Sequence, residues 1–180
     1  MLMKKENSIL SLAFLFLVLS SNSSANAFCA HGNENTQIKA TTPSEEFTDN
    51  GDGTVTHHIT GLVWQRCSLG QIWDGSNCSG DATTYTWEQA LGAAELNDFI
   101  NLSDWRLPNR NELISIVEYR CYDPTINNQL FPSTPPSWYW SSSPYSSDNN
   151  DARDFHFGDG TIHGNGRHTH SYVRLVRDIK

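Results

Sequence analysis

The residues with most to offer chemically stand at the end of the chain. From Asp151 to Lys180 there are four arginines, Arg153, Arg167, Arg174 and Arg177, and four histidines, His156, His163, His168 and His170. Five basic residues stand against 4 acidic ones there, whereas from Phe28 to Asn150 five stand against 15. Fixed guanidinium charge beside titrating imidazoles makes an anion-binding surface that strengthens as the pH falls, because histidine titrates near pH ~6.5. Arg153, His156, His163, Arg167, His168 and His170 are therefore candidate ligand contacts, and Arg167, among Gly164, Asn165 and Gly166, is expected on a loop. Arg174 and Arg177 lie in the strand-like YVRLVR string and suit structural ion pairs equally well. His168 and His170 would point the same way on an extended segment, with His163 near enough to complete a metal site. No acid or cysteine ligand stands beside them, so no metal is assigned.

A second candidate surface is aromatic. Trp138, Tyr139, Trp140 and Tyr145 lie between proline and serine, a composition that suits sugar stacking, with Tyr139 and Tyr145 as the contacts. On an alternating strand Trp138 and Trp140 share one face and Tyr139 the other, so at least one set is expected in the core.

Other chemistries are disfavoured by spacing. Asp49, Asn50 and Asp52 suggest a calcium loop, but position 3 from Asp49 is Gly51 and position 12 is Thr60, where an EF-hand needs oxygen ligands. A tight turn is the better reading; loop calcium here, or at Asp148 to Asp151, is the only cofactor with any support. Neither G-x-S-x-G nor HExxH occurs. Four cysteines without paired CxxC motifs point to two disulfides rather than zinc. Of the three possible pairings, Cys67–Cys78 would staple a loop rich in glycine and serine, which leaves Cys29 with Cys121.

These groups must be positioned by short strands and two helices. Asn50-Gly51-Asp52-Gly53 turns between Phe47 and Thr54 to Thr56, and Thr60-Gly61 leads into Leu62-Val63-Trp64, an opening meander. Thr86 with Gln89 starts one helix, whose Trp87, Ala90, Leu91 and Ala94 share a face. Asn109 with Glu112 starts the second, with Leu113, Ile116 and Val117 facing the core. Just before it, Asp104-Trp105-Arg106-Leu107-Pro108 brings Trp105 and Leu107 to the core and holds Arg106 near the strand ends. Four prolines between Cys121 and Ser137 predict a loop crossing the surface. Strands follow at Trp138 to Ser142, Arg153 to Phe157 and Tyr172 to Arg177, with a turn at Phe157 to Gly160.

The organisation is simple. Lys4 and Lys5, an apolar run from Ile9 to Leu19 and Ala25-Asn26-Ala27 predict a signal peptide over residues 1–27, since the run falls short of the ~20 residues a membrane span needs. Residues 28–46 read as a tether and 47–180 as one acidic domain. Without Lys4, Lys5 and Glu6 the chain carries 10 basic and 19 acidic residues, which speaks against nucleic acid as a partner. A bacterial product, secreted, at the cell surface or periplasmic, and not inserted in a membrane after cleavage, is the expectation; the oligomeric state is left open.

Four strings in order, FTDNGDGTVTHHITGLVWQRC, TWEQAL, DWRLPNRNEL running into ISIVEYRCYDPTIN, and YWSSSPY followed by YVRLVR, resemble the Lcl C-terminal domain family, named for the C-terminal domain of the Legionella collagen-like adhesin. The resemblance spans about Phe47 to Arg177. It implies an α+β, C-type-lectin-like domain, with two helices packed on short, mostly antiparallel strands, long loops and two disulfides. It also implies an exported, non-enzymatic recognition or adhesion module for acidic or sulfated polysaccharides, or else a structural or protein-binding subunit of a surface or secretion assembly. The WRLP string is also similar to formylglycine-generating enzymes. Those oxidases use a thiol pair late in the chain, however, and every cysteine here lies at or before Cys121. EPN and QPD, the sugar-binding tripeptides of calcium-dependent lectins, are absent.

Overall fold

The computed structural model describes residues 28–146 and 149–180. The expected signal peptide and Asp148 lie outside these residues. Along the described chain five strands are followed by two α-helices and then by four more strands. A four-stranded antiparallel sheet has the order β1 (Phe47–Asp49), β2 (Thr54–His57), β3 (Leu62–Gln65) and β9 (Val176–Asp178), so the end of the chain returns beside the opening meander. A hairpin, β4 (Ile72–Trp73) with β5 (Cys78–Ser79), is tied back at Cys78 by the disulfide to Cys67. The third sheet is β6 (Trp138–Pro144), β7 (Asp151–His156) and β8 (Thr161–Gly166).

Strand alternation sends apolar side chains into two cores. Leu62 and Trp64 join Leu113, Ile126, Phe131, Tyr139 and Phe155 in one, while Val63 joins Ala90, Trp105, Leu107, Trp140 and Leu175 in the other. Strand β6 is thus buried on both faces over Tyr139 and Trp140, and only Trp138 of the three is partly exposed.

Both helices start as expected. In α1 (Trp87–Glu95) Thr86 and Gln89 form a reciprocal capping box, and in α2 (Arg110–Ile114) Asn109 and Glu112 do the same. The second helix is shorter than its apolar spacing suggests. It ends at Ile114, and Ile116 and Val117 reach the core from the turns that follow.

The Asp104–Pro108 junction is a packing device. Trp105 and Leu107 are buried, and the Trp105 indole donates to the Phe99 carbonyl at 3.0 Å. Arg106 is part-exposed: its guanidinium forks onto both Glu112 oxygens at 2.7 and 2.8 Å and reaches Asp178 at 3.1 Å. Its backbone also exchanges hydrogen bonds with Val176 of β9. Asp104 receives Arg177 and Lys180, so the junction is tied to the last strand by charge as well.

Four expectations are corrected. Residues 28–46, read as a tether, are held along their length as a strap: beyond the Cys29–Cys121 bond, Glu34 pairs with Arg120 at 2.6 Å, and buried Glu118 accepts from the Thr41, Thr42 and Arg120 backbone N–H groups. The stretch from Cys121 to Ser137 does not cross the surface but enters the core through Ile126, Leu130 and Phe131. Side chains of Asn127 and Thr134 satisfy neighbouring backbone carbonyls along the way. Strand β8 runs through Gly164, Asn165 and Gly166, which composition had assigned to a loop, while the last strand is confined to Val176–Asp178.

Candidate functional site

Register decides which of the candidate residues can act together. On β7, Arg153 stands opposite Gly164, while Asp154 stands opposite His163, and Trp138 opposite His156. Arg153 therefore lies on one face of the third sheet and His156, His163 and Trp138 on the other.

On the Arg153 face a stack is built on a glycine. A Cβ at Gly164 would lie 2.6 Å from the Tyr145 ring, so only glycine admits that ring against the strand. The Arg153 guanidinium lies 4.3 Å above Tyr145. A second stack stands nearby, beyond the end of β8. Arg167 donates its backbone N–H to Asn150 at 2.9 Å and its Nε–H to the Asp151 carbonyl at 3.3 Å, and its guanidinium lies 4.3 Å over Trp87. Trp87 is held in turn by its indole N–H on the Ser141 carbonyl, 2.9 Å away, and by its position at the capped start of α1.

Neither Arg153 nor Arg167 has a carboxylate partner among the described residues, whereas Arg66, Arg106, Arg120, Arg177 and Lys180 all do. Planar guanidinium on an aromatic ring keeps its outer N–H fork free for an anion. A depression of about 580 Å³ opens there, lined by Thr86, Trp87, Glu88, Arg167 and His168. His168 packs its ring where a Gly166 Cβ would stand.

The opposite face carries different chemistry. Trp138 lies between His156 and His163, with ring centroids 4.6 and 4.8 Å away, and His156 Nδ1 is 3.0 Å from Asp159 Oδ1. Beside them Asp154 is buried. One of its oxygens accepts from Asn165 at 3.0 Å, and the other has no partner among the described residues. Burial pushes this carboxyl above the usual aspartate range, with Asn165 and the two histidines opposing.

Several candidates fall away. Tyr139 is wholly buried, its hydroxyl 2.6 Å from Ser68 Oγ and pushed up to about 12 by burial, so it cannot meet a ligand. Arg174 is equally buried, donating to the Gln65 and Arg66 carbonyls, Ser68 Oγ and Thr134 Oγ1, and Arg177 is paired with Asp104. The free fixed charges of the segment are Arg153 and Arg167. His168 and His170 are both exposed, but Thr169 folds back onto the Gly166 carbonyl, so a turn rather than an extended segment carries them. Among the described residues no three metal-ligating side chains are grouped. Asp49 and Asp52 spend oxygens on Gly51 and Thr54 and on Arg66, the geometry of turns.

Sequence reading missed Trp87 as a platform, because its spacing assigned it to the helix core face. Its place in the first turn, where helices present side chains beside loops, was the available signal.

The family model described as the Lcl C-terminal domain matches residues 53–177. No curated protein matches the chain.

Proposed function

The chain belongs to the Lcl C-terminal domain family, and from that premise we propose that it is an exported recognition module binding acidic or sulfated polysaccharide through Arg153 and Arg167. The family is adhesin-associated and is not a known enzyme family. Two disulfides fit an extracellular or surface location, and among the described residues no helix is long and apolar enough to cross a membrane. The C-type-lectin-like assignment is part of the same proposal, supported by the return of β9 beside the opening meander and by long, disulfide-stapled connections.

The observation that carries the ligand assignment is the pair of arginine–aromatic stacks. Each guanidinium sits over a ring, lacks a carboxylate partner among the described residues and stands on a chain whose net charge of −8 would otherwise repel a polyanion. Tyr145 and Trp87 also offer apolar edges to sugar rings. His168 lines the Arg167 depression. His156 and His163, on the other sheet face, contribute little to this site.

Heparin retention tests the proposal. Wild-type protein should elute earlier as salt rises, since exposed charges are screened over ~8 Å at physiological ionic strength. Changing Arg153 and Arg167 to alanine together should abolish retention in a fold-checked protein. Equal retention of variant and wild type would point instead to a protein-binding subunit whose contacts lie elsewhere.

A further inference from the structure

The third sheet ends on an open edge. Among the described residues no strand and no isolated bridge lies on the outer side of β8. Alternate residues of such a strand aim their backbone donors and acceptors away from the neighbour they pair with. Edges of this kind are usually guarded by lysine, proline, charge or a bulge. Thr161–Gly166 has none of these: it contains no proline and no fixed charge, and its register with β7 runs unbroken from Asp151↔Gly166 to His156↔Thr161. Two copies of a chain with net charge −8 repel each other at most surfaces, but not along this strand.

We infer that β8 pairs antiparallel with β8 of a second copy, joining two three-stranded sheets into one of six strands. A two-fold axis perpendicular to the sheet keeps the two faces continuous, so it pairs only residues of like alternation. With the axis at His163, Thr161 faces Asn165 of the second copy and Ile162 faces Gly164. The turn residue Asp159 then stands opposite Arg167 of the second copy, and the symmetry makes this contact twice. With the axis at Gly164 instead, Asp159 would face Thr169 and Arg167 would face Thr161, and both charges would go unanswered. The charge pattern selects the first register. Asp159 is exposed and spends Oδ1 on Thr161 and His156, which leaves Oδ2 for the guanidinium. Arg167 is fixed by Trp87 and the Asp151 carbonyl and has no carboxylate of its own among the described residues. This inference does not rest on polysaccharide binding, with which it competes for the Arg167 guanidinium.

Sedimentation equilibrium should find the purified exported chain in a concentration-dependent monomer–dimer equilibrium. Directly opposite residues in an antiparallel pair lie ~4.5 to 5.5 Å apart, within disulfide range. His163→Cys should therefore oxidise to a covalent dimer, whereas Thr161→Cys alone should not. Mixing Thr161→Cys with Asn165→Cys should give the crosslinked heterodimer. Asp159→Arg should lower the association constant by about tenfold or more, and adding Arg167→Asp should restore it. A chain that sediments as a monomer at every concentration, or crosslinks equally at positions 161 and 163, overturns the inference. If Asp159→Arg fails to fold, the cysteine series still decides.

Discussion

Four arginines in thirty residues meet four environments, and the sequence treats them alike. Arg153 and Arg167 lie over aromatic rings, Arg174 is sealed in the core on carbonyls and hydroxyls, and Arg177 is paired with Asp104. What separates them is the face of the pleat and the partner brought from a distant part of the chain, and neither is visible in local spacing. Arg174→Leu should consequently destabilise by about 2 to 3 kcal/mol, because it leaves buried acceptors unsatisfied; equilibrium denaturation measures it. Asp154 makes a pH-dependent prediction. Its folded value lies above its unfolded one, so the folded state holds a proton that the unfolded state releases, and stability falls as the pH rises through that interval. Asp154→Asn removes this penalty. It should raise the melting temperature at pH 7, with the gain shrinking below about pH 3, under the ordinary aspartate range. Asp104 has the opposite sign: hydrogen bonds from Arg177 and Lys180 hold it well below the usual range. Asp104→Asn should lower stability at pH 7, and the loss should fade as acid protonates the wild-type carboxyl.

Local signals located most of the elements. Both capping boxes, the opening meander and the junction around Trp105 follow from spacing within about ten residues, and the structure has them where expected. The pairing Cys67–Cys78 with Cys29–Cys121 was legible because one pair brackets a short loop. The failures are non-local. Gly164 and Gly166 look like loop residues, yet Tyr145 and His168 fill the space their side chains would need, so the strand continues. Residues 28–46 show no periodicity, and what orders them is Glu118, 76 residues from Thr42, accepting from backbone and hydroxyl donors. Two predictions belong at this scale. Trp105→Ala should cost about 3 to 5 kcal/mol, as large core truncations do; a change under about 1 kcal/mol in denaturant titration would place the indole outside the core. Replacing Cys29 and Cys121 with serine should cost about 2 to 4 kcal/mol and expose the strap to cleavage at Lys39, read by limited proteolysis.

At the scale of the molecule, an acidic domain keeps its fixed cations in ion pairs or in the core, with few exceptions, and two of those exceptions are Arg153 on β7 and Arg167 between the end of β8 and the start of α1. Composition anticipated a cationic patch in the last thirty residues but overstated it, counting four arginines where two are free. It also merged two histidines on one face of the third sheet, His156 and His163, with two on the turn beyond β8, His168 and His170. The direct measurement of the central claim is the salt dependence of affinity for one sulfated oligosaccharide, compared with its desulfated counterpart, for wild type and the Arg153→Ala/Arg167→Ala double variant. Wild type should bind the sulfated form alone, with log affinity falling linearly against log salt, and the double variant should flatten that slope by about one unit for each arginine removed. Equal affinity for the two oligosaccharides, or an unchanged slope in the double variant, would contradict the assignment of Arg153 and Arg167 as the polyanion site.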